Sequence, residues 1–197
     1  MIQINPEISY ALEEVLFTFA LESEAANVFT PYRKLISGIG KLQTTYRLTR
    51  AIQAHRPALI VNLGSAGSAQ FPKGEVVCCT AFIQRDMDVR GLGYAHYETP
   101  LSGLDPLLKY GLHMQGLPQA VCGSGDSFEM AHGDAPYQVV DMEAYAMAYI
   151  ALQEGIPFLS LKYITDGADE AAADDWNTGV HQAAHAFAQV LDLPAPL

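Results

Sequence analysis

The sequence predicts an α/β fold: a β-sheet covered by helices on both faces. Three observations carry that expectation. Short apolar runs rich in Val, Ile and Leu alternate with longer amphipathic runs, as they do when buried strands are separated by helices. Hydrophobic residues make up 50% of the chain and charged residues 17%, which excludes disordered and coiled-coil compositions. The 197 residues suffice for one domain, 1–197, with a sizeable core, and are too few for two comfortable ones. No repeat, low-complexity tract or linker divides them.

In chain order, Asn5-Pro6 is placed to open a small helix, with Pro at its first helical position. Strands are predicted at Val15–Ala20, at Lys34–Ser37 before Gly38-Ile39-Gly40, and at Ala58–Leu63. Between the last two, Lys41–Ala54 reads as a helix with Leu42, Tyr46, Ala51 and Ile52 at near-helical spacing. His55-Arg56-Pro57 ends it. Further strands are predicted at Glu75–Ile83, Gln119–Cys122, Gln138–Val140 and Phe158–Ile164. Leu104–Gly111 is assigned a short helix, and Met142–Glu154 a longer one that stops at Gly155 before Pro157. The last helix, Trp176–Leu191, sets Val180, Ala184, Phe187, Ala188 and Leu191 on one side.

Charge is distributed unevenly. Residues 1–124 hold ten basic and ten acidic residues, whereas 125–197 hold one basic residue, Lys162, and twelve acidic ones, which accounts for the net charge of −11. A nucleic-acid surface needs clustered Lys and Arg, so no nucleic-acid partner is expected. Most of the acidity serves solubility. No apolar run approaches the roughly 18 residues of a membrane span, so no membrane partner is expected either. The N-terminus lacks a basic start followed by an apolar stretch, so no secretory signal is expected. Cys78, Cys79 and Cys122 cannot all pair within one chain, and the adjacent two point to opposite faces of a strand. A reduced, cytoplasmic protein is the expectation.

Five short motifs follow predicted strands and can carry chemistry. Asn62-Leu63-Gly64-Ser65-Ala66-Gly67-Ser68 combines small residues, which admit a ligand close to the backbone, with a hydroxyl at Ser65. It is not a Walker A loop, because no Gly-Lys-Ser/Thr follows. Gly125-Asp126-Ser127-Phe128 offers an aromatic face to a planar base, or a turn with a core Phe. In Val139-Val140-Asp141-Met142-Glu143-Ala144 a carboxylate either accepts from adjacent ribose hydroxyls or favours a helix N-terminus. Thr165-Asp166-Gly167 closes the most hydrophobic strand, where an acid can hold a proton to donate, or simply form an Asx-turn. Glu24, in Leu21-Glu22-Ser23-Glu24-Ala25, is a base or a solvated helix start. Two further clusters are set aside. His181 and His185, four apart, lack the Glu of HExxH and a third ligand, and read as exposed. Asp169, Glu170, Asp174 and Asp175 do not match a calcium loop and read as solvated. No metal site is expected.

With Ser37-Gly38-Ile39-Gly40-Lys41, these motifs stand in the order of the purine nucleoside phosphorylase-like superfamily. From about Val15 to Leu191 the chain most resembles its methylthioadenosine/S-adenosylhomocysteine nucleosidase branch. The resemblance implies a three-layer α/β/α domain around a twisted, partly closed mixed sheet, and cleavage of an N-glycosidic bond without metal or organic cofactor. It implies Asp166 as the acid that protonates the purine at or near N7, and Glu24 as the base that activates water. Glu143 is implied to grip the ribose hydroxyls with Met142 against the sugar, Phe128 to lie beside the base, and Ser65 to lie near water and ribose. Ile39 and Lys162 join the substrate-binding set. The stretch from Asp88 to Tyr94, with Pro100 beyond, resembles the segment that completes a neighbour's sugar pocket, so a homodimer is expected with Leu92 and Pro100 near the partner's 5′ pocket.

The chain departs from the family at three points. Lys162 stands where Arg is usual, so water positioning around Glu24 is expected to differ. Glu129 follows Phe128 where an apolar residue is usual, and the segment from Phe128 to Asp141 is short. Neighbours on an extended chain point apart, and unpaired buried Glu is rare, so Glu129 is expected to face solvent. Adenine-type nucleosides are therefore the first expectation and 6-oxopurine nucleosides the second. A phosphate-dependent phosphorylase is the alternative activity, disfavoured because Glu22 and Glu24 after the first strand repel phosphate. A non-catalytic nucleoside-binding protein is the alternative of another class, disfavoured because all three carboxylates are present.

Overall fold

A computed structural model describes residues 1–129, 134–169 and 172–194, with the side chains of 172–178 and 180 left aside. The chain opens with a hairpin, β1 (Ile2–Asn5) and β2 (Ile8–Tyr10), followed by β3 (Val15–Phe19), α1 (Glu22–Ala25) and β4 (Lys34–Ile36). The helix α2 (Lys41–Ala54) leads to β5 (Leu59–Gly67), β6 (Val76–Gln84), β7 (Gln119–Ser124) and β8 (Val139–Asp141). The remaining elements are α3 (Ala144–Glu154), β9 (Phe158–Asp166) and α4 (Ala172–Val190).

Seven strands form one mixed sheet in the order β4-β3-β5-β8-β7-β6-β9, and β5 also pairs with β9. That extra pairing closes five strands into a ring, with β3 and β4 continuing the sheet outwards. β5 lies parallel to β3 and β9, whereas β9 and β6 are antiparallel. This is the expected partly closed mixed sheet. Its strands alternate between two cores with the period of two that pleating imposes. Phe17, Phe19, Val61, Leu159 and Leu161 point to the layer that holds β1 and α4, with Phe187 buried there. Leu16, Ile60 and Phe158 point to the layer of α2 and α3, with Leu48 and Met147 buried there. Cys78 and Cys79 separate between these two cores, as adjacent strand residues do.

The structure corrects four expectations. No helix starts at Asn5-Pro6. The Asn5 side-chain oxygen accepts from the backbone N–H of Glu7 and Ile8, at 2.9 and 3.0 Å, and this Asx-turn joins the hairpin strands. Leu104–Gly111 is not helical either. Leu108 exchanges two 2.9 Å backbone hydrogen bonds with Phe82, and Gly111 donates to Thr80 at 3.0 Å. The segment thereby satisfies the edge that β6 exposes where β9 turns away. On α2 the buried stripe is Thr44, Leu48 and Ile52, while Leu42 and Tyr46 face outwards. β5, β7 and β9 also run two to four residues beyond their expected ends. The motifs Gly64-Ser65-Ala66-Gly67 and Thr165-Asp166 are therefore strand, and their side chains inherit strand directions.

Among the described residues no helix is long and apolar enough to cross a membrane. His181 and His185 are exposed on α4. Glu170 lies outside the described residues, as do the side chains of Asp174, Asp175 and Val180.

Candidate active site

Six strand ends converge on a cavity of about 340 Å³, a size suited to a small organic ligand. Glu24, Ser65, Arg85, Phe128, Glu143 and Asp166 line it, each at or just past the carboxyl end of its own strand.

Glu24 is on α1, a single helical turn after β3. It is not the solvated helix start that its neighbours Glu22 and Ser23 would suggest. Its carboxylate is 3% exposed and takes four donors: the N–H groups of Ala20 and Leu21, both at 3.0 Å, and Ser65 through N–H at 2.8 Å and Oγ at 2.7 Å. Two strands thus hold one carboxylate at the cavity wall. Gly64 keeps the wall open, since a Cβ there would sit 3.3 Å from Glu24 Oε1.

Asp166 ends β9 at a bulge. Ala66 pairs with Ile164 but Gly67 pairs with Asp166, so Thr165 is the extra residue. A bulge re-aims the side chains around it. The Thr165 hydroxyl donates to Asp166 Oδ2 at 2.9 Å, and the Ala168 N–H donates to Oδ1 at 2.9 Å. A Cβ on Gly67 would lie 2.5 Å from Asp166 Oδ1, so only glycine admits the carboxyl there.

Glu143 precedes α3 and is buried. Its Oε1 accepts from the Gly40 N–H at 2.7 Å, and Gly40 stands at φ +86°, where glycine is favoured. Burial, with the Asp141 charge beside it, pushes the Glu143 carboxyl up to about 8. Asp141 also borders the cavity, but its oxygens are occupied. They accept from Lys162 Nζ at 2.7 Å, the Ala144 N–H at 2.8 Å and Ser124 Oγ at 2.5 Å. Burial alone would raise Asp141 and lower Lys162; their ion pair outweighs it, so the acid is lowered and the ammonium raised. Lys162, 2% exposed, therefore lies beneath the cavity on Asp141 and makes no ion pair with Glu24.

The other expected residues divide into two groups. Met142, Ile39 and Phe128 line the cavity, the last two about half-exposed at its mouth. Leu92 and Pro100 do not line the cavity of their own chain. Glu129 departs from expectation: it faces the cavity and pairs with Arg85 at 3.3 Å. The alternation argument fails because residues 125–129 form no regular strand. Arg85 itself was missed as a cavity residue. The signal available was its position, one residue past β6, where ligands approach a sheet.

Fold and site together define an α/β protein of nucleoside phosphorylase-like architecture, with carboxylates gathered at strand ends. The family model for the phosphorylase superfamily matches residues 34–122 and 127–193. The 5′-methylthioadenosine/S-adenosylhomocysteine nucleosidase of Actinobacillus succinogenes is 33% identical over 159 residues, covering 70% of this chain and 69% of the relative. The enzyme of that name from Geobacillus kaustophilus is 30% identical over 181 residues, covering 80% and 76%. The solved nucleosidase of Helicobacter pylori superposes with a TM-score of 0.82 at 20% identity, over 93% of this chain and 97% of that one. The chain belongs to the phosphorylase superfamily.

Proposed function

We propose that the chain, as one domain, hydrolyses the N-glycosidic bond of a purine nucleoside or 5′-thionucleoside and releases the free base. The observation that carries this is the convergence of Glu24, Glu143 and Asp166 on one cavity. The relatives named methylthioadenosine/S-adenosylhomocysteine nucleosidases support it.

The chemistry assigns the roles. As the bond to the base lengthens, the sugar gains oxocarbenium character and the base gains negative charge. A proton from Asp166 to the purine at or near N7 prevents departure of a free anion. Glu24 takes the proton of the attacking water, and general acid and base action contribute roughly 10²–10⁴-fold each. Glu143 accepts from the ribose hydroxyls, and its charge stabilises the developing cation. Water is favoured over phosphate by the lining charges. Among the described lining residues Arg85 is the one cation, already paired with Glu129, and five acids surround the space: Glu24, Glu129, Asp141, Glu143 and Asp166.

The finer reading is a cytoplasmic homodimer. Three buried, unpaired thiols support a reducing compartment. Leu92 and Leu101, 75% and 94% exposed, and the outward-facing Leu42 and Tyr46 of α2 support the dimer as apolar surface that a second copy would cover. In the dimer Leu92 and Pro100 complete the partner's 5′ pocket.

Purine nucleosides incubated with the protein, with and without phosphate, test the activity. Free base and free sugar are expected at phosphate-independent rates, and Asp166→Asn is expected to fold normally and lose at least about 100-fold in kcat. A sugar 1-phosphate that requires added phosphate would overturn hydrolysis.

A further inference from the structure

One feature of the cavity serves neither proton transfer nor the ribose. Arg85 and Glu129 meet there as an ion pair, with side chains 8% and 12% exposed. Burying two charges costs several kcal/mol per ion, and Ala66 and Val140 line the same cavity without charge. Both side chains are held in place. Arg85 donates from Nη2 to the Ser127 carbonyl and from Nη1 to Ser127 Oγ at 3.1 Å. Glu129 Oε2 accepts from the Tyr137 hydroxyl at 3.2 Å. One donor is left over: Arg85 Nε is buried without a hydrogen-bond partner.

The neighbours also give the pair an order. Asp166 accepts from the N–H of Ala168, and Ala168 packs in one small cluster with Val140 and the Tyr137 ring. Tyr137 leads to Glu129, and Glu129 leads to Arg85, anchored at the 125–127 turn. Traced through these contacts, Glu129 stands between Asp166 and Arg85.

We infer that Glu129 and Arg85 read the C6 and N1 edge of a 6-aminopurine, Glu129 accepting from the exocyclic amino group and Arg85 donating to N1. The inference rests on the proposed nucleosidase reading, which sets N7 at Asp166. Round a purine, N7 is followed by the C6 substituent and then by N1. A base with N7 on Asp166 turns its C6 substituent towards two carboxylates, which attract an amino group and repel a carbonyl oxygen. Its bare N1 then meets a donor. A 6-oxopurine reverses both contacts, with O6 against the carboxylates and N1–H against the guanidinium. Phe128 offers the base a face without polarity, so discrimination at the edge falls to the ion pair. Recognition is thus a matter of two specific side chains, and each has its own atomic probe.

The experiment compares kcat/KM for the 5′-methylthio forms of adenosine, purine riboside, 1-deazaadenosine and inosine, which share one sugar. Purine riboside lacks the amino group, and 1-deazaadenosine replaces N1 with carbon. The wild-type protein is expected to favour adenosine over each of the first two by about 10- to 100-fold, and over inosine by more. Glu129→Ile is expected to erase the adenosine advantage over purine riboside, and Arg85→Met the advantage over 1-deazaadenosine. The double variant, which buries no lone charge, is expected to erase both. A wild-type preference for inosine would overturn the inference, as would variants that slow all four substrates equally. Base release that ignores C6 and N1 leaves the nucleosidase reading standing and sinks this one; no release from any of the four sinks both.

Discussion

Glu143 carries a conflict between folding and binding. Burial, followed by the nearby Asp141 charge, pushes its carboxyl up to about 8, which favours the protonated form. Ribose hydroxyls are best accepted by the ionised form. Binding is therefore coupled to proton release, and affinity should strengthen as pH rises towards 8 and level off above. The sign for stability is opposite. Because the folded-state value exceeds the unfolded one, the protonated group's contribution is complete below about 4.5 and is lost as pH rises towards 8. Glu143→Gln should raise Tm relative to wild type more at pH 8 than at pH 5, and weaken nucleoside binding by about 10- to 100-fold. It should also flatten the pH dependence of affinity. Calorimetric titration and thermal melts at both pH values check this; unchanged pH dependence in the variant would assign the titration elsewhere. Asp141 provides the contrast. Its lowered carboxyl is committed to Lys162, Ser124 and the Ala144 N–H, so it anchors the start of α3 and leaves the sugar to Glu143.

At the scale of elements, the bulge at the end of β9 aims the acid. Gly67 on β5 faces it, with room for hydrogen and not for a methyl group. Gly67→Ala should leave the far-ultraviolet spectrum unchanged and lower kcat by at least about 10-fold, because a misplacement of about 1 Å at the chemistry costs rate steeply. KM should move much less. Equal losses in kcat and thermal stability would mean that the methyl group disturbs the sheet instead. The strands were readable because pleated, doubly buried segments must be apolar. The segment 104–111 was not readable as strand-like cover, because the unpaired edge of β6 that recruits Leu108 exists only after β9 has turned away. The hairpin at the N-terminus was missed for a smaller reason. Asn5 and Pro6 suit a turn as well as a helix start, and pairing of Ile2 with Tyr10 decides between them.

For the whole molecule, the apolar residues that the chain leaves exposed predict assembly. Leu42 and Tyr46 lie one turn apart on the outer face of α2, and Leu92 and Leu101 flank the segment beyond β6. Analytical ultracentrifugation should give a dimer, and Leu92→Asp should shift it towards monomer while raising KM for 5′-thionucleosides about 10-fold or more, the charge disfavouring an apolar interface. A fully active monomer would refute the assembly. The sequence by itself determined the α/β class and the buried strands, because burial leaves a local pattern, whereas the motifs holding Glu24, Ser65, Glu143 and Asp166 were legible only through their shared order, which resembles that of the phosphorylase superfamily. Only the tertiary structure decided the partners of the charges: Lys162 with Asp141, Arg85 with Glu129, and Glu24 with Ser65. Each pair joins residues from 21 to 44 positions apart. Which charges meet depends on ring closure of the sheet, a long-range event that no local pattern of residues encodes.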